Sequence, residues 1–171
     1  MKVLVVVDMQ HDFVDGALGS DMARAIVPNV AAKIREYRKN GDCVIYTRDT
    51  HQTNYLDTQE GHNLPVPHCI EGTQGWQILP ELEVGDSPVV NKVTFGSENL
   101  PKVLSEVCPD MESVELIGLC TDICVISNAM VLKAFFPEVP LIVDSACCAG
   151  VSPETHQNAL EAMKVCQIKI L

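Results

Sequence analysis

The chain has 171 residues, 47% of them hydrophobic, which suits one domain with a full core, and no Ser/Gly/Pro-rich or charge-dense stretch marks a linker. Lys and Arg number 12 against 23 Asp and Glu, and the net charge of -11 is a poor match for phosphate backbones or anionic lipid, so neither nucleic acid nor a membrane is expected as partner. The 8 cysteines lie within strand and helix patterns and form no CxxC pair, which points to a reduced cytoplasmic protein rather than a disulfide scaffold or zinc ribbon.

The first element runs from Lys2 to Val7. Its apolar run is too short for a signal peptide or membrane span and ends in Asp8 without a small-residue cleavage site. Unbroken Val and Leu predict a strand covered on both faces. Asp21 to Arg38 carries apolar residues at helical intervals, and Asp42 to Thr47 reads as the second strand. From Arg48 to Pro88 the pattern is lost among Asn, Gln, Thr, Gly, Pro and His. A segment of that length in a compact domain is usually functional, and Trp76, Ile78, Leu79 and Leu82 predict that it is anchored as an insert at about 48–88. Beyond it come a strand at Pro88 to Asn91, a helix at Leu100 to Val107, a strand at Ser113 to Gly118 and a helix at Ile123 to Phe135. A strand at Pro140 to Val143, a helix at Ser152 to Lys164 and a strand at Gln167 to Leu171 complete the chain. The alternation predicts an α/β fold for a single domain over residues 1–171: a three-layer α/β/α sandwich with a six-stranded, mainly parallel sheet.

In such sheets ligands bind beyond the carboxyl ends of the strands, where this chain places Asp8, Asp49, Lys92 and Cys124. Cys124 lies in Gly118-Leu119-Cys120-Thr121-Asp122-Ile123-Cys124-Val125, between a strand and a helix for which Thr121 and Asp122 are suitable N-caps. Free N–H groups and the helix dipole there favour thiolate, so a lowered pKa is expected. Alone, Cys124 reads as a core residue, Lys92 as a solvated lysine and Asp8 as a loop cap. Together they supply a nucleophile, a base for its proton and a cation for developing charge, the set that acyl transfer needs. The remaining cysteines Cys43, Cys108, Cys147, Cys148 and Cys166 read as small core or loop residues. In the insert, Asp49-Thr50-His51 places a carboxylate and an imidazole on one side of an extended chain, and His68 is held between Pro67 and Cys69. With Glu60 or His62 from the segment between, such a set suits Zn²⁺, Fe²⁺ or Mn²⁺.

The ordered series Val7-Asp8-Met9-Gln10-His11-Asp12-Phe13, Thr47 to His51, Pro67 to Gly75, Asn91-Lys92 with Phe95, Gly118 to Val125, and Asp144 through Gly150-Val151-Ser152 resembles the isochorismatase-like cysteine hydrolases, and within them the nicotinamidases. The likeness spans essentially the whole chain. It implies a Rossmann-like fold, an Asp8-Lys92-Cys124 triad, and hydrolysis of a small carboxamide, nicotinamide to nicotinic acid plus ammonia, through a thioester on Cys124. It also implies a divalent metal, zinc first with iron or manganese as alternatives, on Asp49, His51 and His68, with Glu60 as fourth ligand and His62 as its rival. An oxyanion hole from the backbone N–H groups of Cys120 and Cys124, with a cis Leu119–Cys120 peptide, follows from the same resemblance, as do substrate contacts from Phe13, Leu64 and Leu119. Family members are often homo-oligomers, and Phe135-Phe136-Pro137 is a candidate apolar surface. Two positions depart from the family's habit: His11 replaces a frequent Asn, and Leu64-Pro65 stands where an aromatic residue is common. The competing readings are a metal-independent relative acting on another amide, a carbamoyl compound or a vinyl ether, and a non-catalytic protein whose Cys124, with Cys120 or Cys69, reacts with oxidants.

Overall fold

Strand β1 (Lys2–Val7) explains why its apolar run does not alternate: Val3, Val5 and Val7 enter one core, Leu4 and Val6 the other, and all are fully buried. The computed structural model describes residues 1–171. Its sheet has the order β3-β2-β1-β4-β5-β6, with β2 at Cys43–Asp49, β3 at Val89–Lys92, β4 at Ser113–Leu119, β5 at Leu141–Ala149 and β6 at Lys169–Ile170. All five pairings are parallel, so the sheet is wholly rather than mainly so. The strand order reverses direction between β1 and β4, and the crevice at such a switch point is where an open α/β sheet binds ligands.

One face is covered by α2 (Asp21–Lys39), whose Ile26, Val30, Ile34 and Tyr37 recur at three- and four-residue steps and pack on Leu4 and Val6. Ser20 caps it, accepting the Ala23 N–H at 3.0 Å. The opposite face carries α4 (Leu100–Val107), α5 (Ile126–Phe135) and α6 (Pro153–Val165), which bury Leu100, Leu104, Ala129, Leu132, Leu160 and Met163 against Val3, Val5 and Val7. Helix α6 begins with a capping box in which the Ser152 and Thr155 side chains each satisfy the other's backbone N–H. Together the layers form the α/β/α sandwich expected.

The fold differs from the sequence reading in detail. Strand β5 continues past Val143 to Ala149, because the register jumps from Leu116 opposite Val143 to Gly118 opposite Cys148, a bulge that the polar Asp144 and Ser145 conceal. Strand β6 shrinks to two residues. The segment between β2 and β3 holds a 3-10 turn at Tyr55–Asp57, a short α3 (Gln59–Asn63) and another 3-10 turn at Pro80–Leu82, all too short to leave a period in sequence, as is α1 (His11–Val14). Leu79 and Leu82 are buried against α2's side of the sheet, and the Trp76 indole N–H reaches Thr50 Oγ1 at 2.9 Å with the Arg48 guanidinium 3.5 Å above its ring. Gly118 has φ +113, and a Cβ there would lie 2.2 Å from the Val7 carbonyl, so only glycine lets β4 close on β1 just beneath the switch point. No helix is long and apolar enough to cross a membrane.

Candidate active site

Three strand ends converge at the crevice. The Lys92 ammonium lies 2.6 Å from Asp8 Oδ2, 3.2 Å from Asp49 Oδ1 and 3.5 Å from Cys124 Sγ, and it donates to the Thr94 carbonyl at 3.1 Å. Asp8 takes a left-handed backbone (φ 48), uncommon for a residue with a side chain, as the chain turns out of β1. The Thr47 hydroxyl donates to its Oδ1 at 2.6 Å. Its Oδ2 receives no well-directed hydrogen bond despite the nearby ammonium, so a lone pair remains for an incoming proton. Burial raises the Asp8 pKa, with Lys92 opposing and Asp49 adding to the rise. Lys92 stays firmly charged: burial favours the neutral amine, but Asp8, Cys124 and Asp49 outweigh it.

The thiol corrects one expectation. Burial, then the Asp8 charge, pushes Cys124 well above an ordinary thiol pKa, and Lys92 offsets only part of this. That direction is opposite to the lowering expected from its helix entrance, because desolvation of a buried charge works against the helix end. The turn is also not an ordinary helical start. Residues Thr121–Val125 form one wide π turn in which Ile123 and Val125 N–H both donate to the Cys120 carbonyl, at 3.1 and 3.0 Å. Cys120 occupies the N-cap position without a side-chain cap. The two residues expected as caps work elsewhere: the Thr121 hydroxyl pairs with His156 Nδ1 at 2.8 Å, and the Asp122 carboxylate accepts the Val151 N–H at 3.0 Å. The Leu119–Cys120 peptide is cis.

Beside Lys92 lies a second cluster. Asp49, His51, Glu60 and His68 each present one donor atom, and the four atoms lie within 4.8 Å of one another. His62 stays outside it on the exposed face of α3. His51 Nε2 is 2.9 Å from Asp49 Oδ2 and 3.6 Å from Glu60 Oε1; His68 Nε2 is 3.6 and 3.7 Å from the same oxygens. A tetrahedral Zn²⁺ with bonds of about 2.0–2.2 Å sets its donors about 3.3–3.6 Å apart, close to these separations. The buried His51 Nε2 has no hydrogen-bond partner within the protein, as a nitrogen reserved for a cation would not. His68 Nδ1 contacts the Val66 carbonyl at 2.8 Å, which leaves Nε2 facing the cluster. Donor chemistry, enclosure and spacing therefore fit a divalent metal. Without one, burial works against an ionised Asp49, yet the adjacent His51 and His68 imidazoles and the Lys92 charge hold it well below the usual carboxylate range. Burial and repulsion from Asp49 push Glu60 up.

Both clusters open on one cavity of about 440 Å³, lined by Phe13, Leu64, Leu119, Cys120, Cys124, Asp49, Glu60 and His68 among others. Lys92 and Asp8 sit beneath its floor. Every candidate substrate contact therefore reaches the same space. Sequence reasoning missed the residues that hold the cavity in shape. Gln10, fully buried, clasps the backbone of Asp49 with both ends of its amide, donating to the carbonyl at 2.8 Å and accepting the N–H at 2.7 Å. Tyr55 packs edge-on against His51 and His68 with centroids 4.8 and 5.0 Å away, and its hydroxyl reaches the Leu64 carbonyl at 2.8 Å. Phe95 forms a further wall. Gln10 and Phe95 fall within the motifs, so a signal existed; Tyr55 left none.

A cavity at the switch point of a parallel sheet, lined by a thiol that an ammonium touches, is the arrangement that a cysteine hydrolase requires. The sequence pattern described as the isochorismatase domain matches residues 2–171, and the chain belongs to that family. It is 26% identical over 193 residues to the nicotinamidase/pyrazinamidase of Mycobacterium tuberculosis, covering 100% of this chain and 98% of that protein. The structure of a pyrazinamidase of Pyrococcus horikoshii in complex with zinc superposes with a TM-score of 0.84 at 30% identity, covering 99% of this chain and 98% of that one. An N-carbamoylsarcosine amidase from Thermoplasma acidophilum gives a TM-score of 0.84 at 27% identity over 99% and 95% of the two chains.

Proposed function

We propose that the protein is a metal-assisted cysteine amidohydrolase that converts nicotinamide to nicotinic acid and ammonia. The observation that carries this reading is the placement of Lys92 Nζ 2.6 Å from Asp8 and 3.5 Å from the sulfur of Cys124, which lines the same cavity as Asp49, Glu60 and His68 of the second cluster. In this scheme Asp8 takes the thiol proton through its free lone pair, and the sulfur attacks the amide carbon. The raised thiol pKa suits that order, because the proton leaves only when substrate and base are both in place. The resulting oxyanion lies against the Cys120 and Cys124 N–H groups, with Lys92 balancing the charge. Asp8 then protonates the departing nitrogen, the C–N bond breaks, and ammonia leaves a thioester on Cys124. A water, deprotonated by Asp8, hydrolyses the thioester to the acid and restores the thiol.

Asp49, His51, Glu60 and His68 would hold zinc, the metal named for the Pyrococcus relative, or iron or manganese. When bound, the metal would supply a fixed positive charge beside the cavity that orients the ring nitrogen of the substrate. Phe13, Leu64 and Leu119 provide apolar walls. Residues 1–171 work as a single hydrolase domain, with 48–88 as its metal- and substrate-binding insert. The reading extends to a cytoplasmic setting, supported by eight free cysteines, and to a homo-oligomer, for which the exposed Phe135 offers apolar surface.

The test is ammonia release from nicotinamide, pyrazinamide and carbamoyl compounds, with chelator and with Zn²⁺, Fe²⁺ or Mn²⁺ restored. The expected result is release from nicotinamide that chelator removes and metal returns. Equal release with and without chelator, or turnover of carbamoyl compounds alone, would overturn it in favour of a metal-independent relative. His51→Ala should lose bound metal and raise KM, whereas Cys124→Ala should keep the metal; loss of metal from the Cys124 variant would separate the two clusters differently.

A further inference from the structure

Asn128 lies one helical turn beyond Cys124 on α5, fully buried, with an amide that makes three hydrogen bonds to backbone. Its Nδ2 donates to the Cys124 carbonyl at 2.8 Å and to the Phe95 carbonyl at 3.0 Å, while its Oδ1 accepts the Ser97 N–H at 3.0 Å. A buried asparagine could merely satisfy a loop. Here, however, two of its partners are the nucleophile and a cavity wall, held by a single rigid group. The loop involved follows Lys92 directly. Its Thr94 carbonyl accepts from the Lys92 ammonium at 3.1 Å, and the Ser97 hydroxyl caps α4 by accepting the Leu100 N–H at 3.1 Å. At Gly96 an added Cβ would meet Val131 Cγ2 at 3.3 Å, so the loop lies directly on α5. Phe95 itself lines the cavity while 43% exposed, and the Asn128 amide is the group that bonds its backbone.

Taking the amidohydrolase reading as its basis, we infer that Asn128 is a positioning residue for the substrate: its amide pins the Phe95 wall to the helix that carries Cys124 and so sets the width of the cavity over the sulfur. Lys92 has Asp8 and Asp49 to hold it in any case, so loss of the pin should affect binding more than chemistry.

Asn128→Thr separates the two bonds. A threonine hydroxyl can still donate to the carbonyl four residues back, at Cys124, but cannot reach the loop. For the metal-loaded enzyme, KM for nicotinamide should rise about tenfold with kcat within about threefold of the parent. Iodoacetamide should alkylate Cys124, followed by peptide mass spectrometry, about threefold faster or more, because the wall opens. Phe95→Ala should reproduce both effects, and the double variant should add little to Phe95→Ala, as expected when one residue acts through the other. Additive effects in the double variant, or a lowered melting temperature with unchanged KM and alkylation rate, would overturn the inference. If Asn128→Thr does not fold, Asn128→Asp, which keeps the shape and the acceptor for Ser97 but loses both donations, is read in the same way. Should no variant nor the parent release ammonia from nicotinamide, the substrate assignment falls, while the alkylation rates still decide the role of Asn128.

Discussion

The same three functional groups meet twice on this sheet. At the crevice, Lys92 joins Asp8 and the Cys124 thiol; some distance down the strands, Lys33 of α2 joins Glu115 of β4 and Asp144 of β5, at 2.9 and 2.8 Å, and the Cys147 thiol approaches Asp144 at 3.5 Å. Unpaired geometry does not tell them apart, since Asp8 Oδ2 and Glu115 Oε1 both face a lysine without a well-directed hydrogen bond. Nor do the thiols: burial, then Asp144, pushes Cys147 up to about 12, and burial pushes Cys124 up as well. What differs is access. Of the first cluster Cys124 lines a cavity of about 440 Å³, with Lys92 3.5 Å from its sulfur, whereas Cys147 does not line it, and Tyr37 closes the second by donating to Glu115 Oε2 at 2.6 Å. A nucleophile, a base and a cation become a catalytic proposal only where a substrate can reach them.

Cysteine replacement should break the symmetry most sharply. Cys124→Ala should reduce ammonia release about a thousandfold or more, because the other thiol lining the cavity, Cys120, has no contact with Lys92. Cys147→Ala should leave the rate within about twofold and cost about 1 kcal/mol of stability for the small cavity it creates. Steady-state rates and urea unfolding of the two variants read both arms. A rate loss in Cys147→Ala as large as in Cys124→Ala would mean that the cavity is not what distinguishes the clusters.

The lysines should divide in the same way with smaller numbers. Lys92→Met should lower kcat/KM about a hundredfold, since the ammonium opposes both the thiolate and the oxyanion. Lys33→Met should keep the activity and lose about 2 kcal/mol in urea unfolding, by stranding the buried Glu115 and the half-buried Asp144 carboxylates. The second effect should also depend on pH. Burial opposes ionisation of Asp144, but the Lys33 hydrogen bond and charge hold its pKa below the ordinary value. A depressed folded-state pKa gives stability that is present above the unfolded value and lost as pH falls through the folded one, so this contribution should begin to fade below about pH 4. Urea midpoints taken from pH 6 to 3 should therefore converge for the parent and Lys33→Met at the acid end; a constant gap would place the lysine's contribution in packing instead.

How much of this was legible beforehand follows the range of the signal. The strands were readable because each is a short apolar run, and the first cluster because Asp8, Lys92 and Cys124 each end or follow a strand, where topology alone predicts convergence. The second cluster was not readable: Glu115 sits inside the strand Ser113–Leu119, and Asp144 inside a bulge that made β5 appear to stop at Val143. Asn128 was silent for a related reason. It is a polar residue whose partners are remote backbone groups brought close only by the fold, and no local period records such a pairing. The direction of the thiol's pKa shift was not legible because the helix dipole is a local property, while the burial that raises it depends on packing from distant segments.

The smallest effect isolates the lid of the second cluster. Tyr37 stands on the inward stripe of α2, and burial, with its hydrogen bond to Glu115, holds its hydroxyl protonated well above the ordinary range. Tyr37→Phe removes that one donor and keeps the ring, so Glu115 Oε2 loses a partner without creating a cavity. The expected cost is about 1–2 kcal/mol, at the level of a hydrogen bond to a charged acceptor, with KM and kcat unchanged. Removing Lys33 as well should leave less for the second substitution to take away, because both groups serve the same carboxylate. A double-mutant cycle in urea measures that coupling: a value near zero would mean that Glu115 relies on Lys33 and Tyr37 independently, and a change in KM in either single variant would mean that the two clusters communicate along β4.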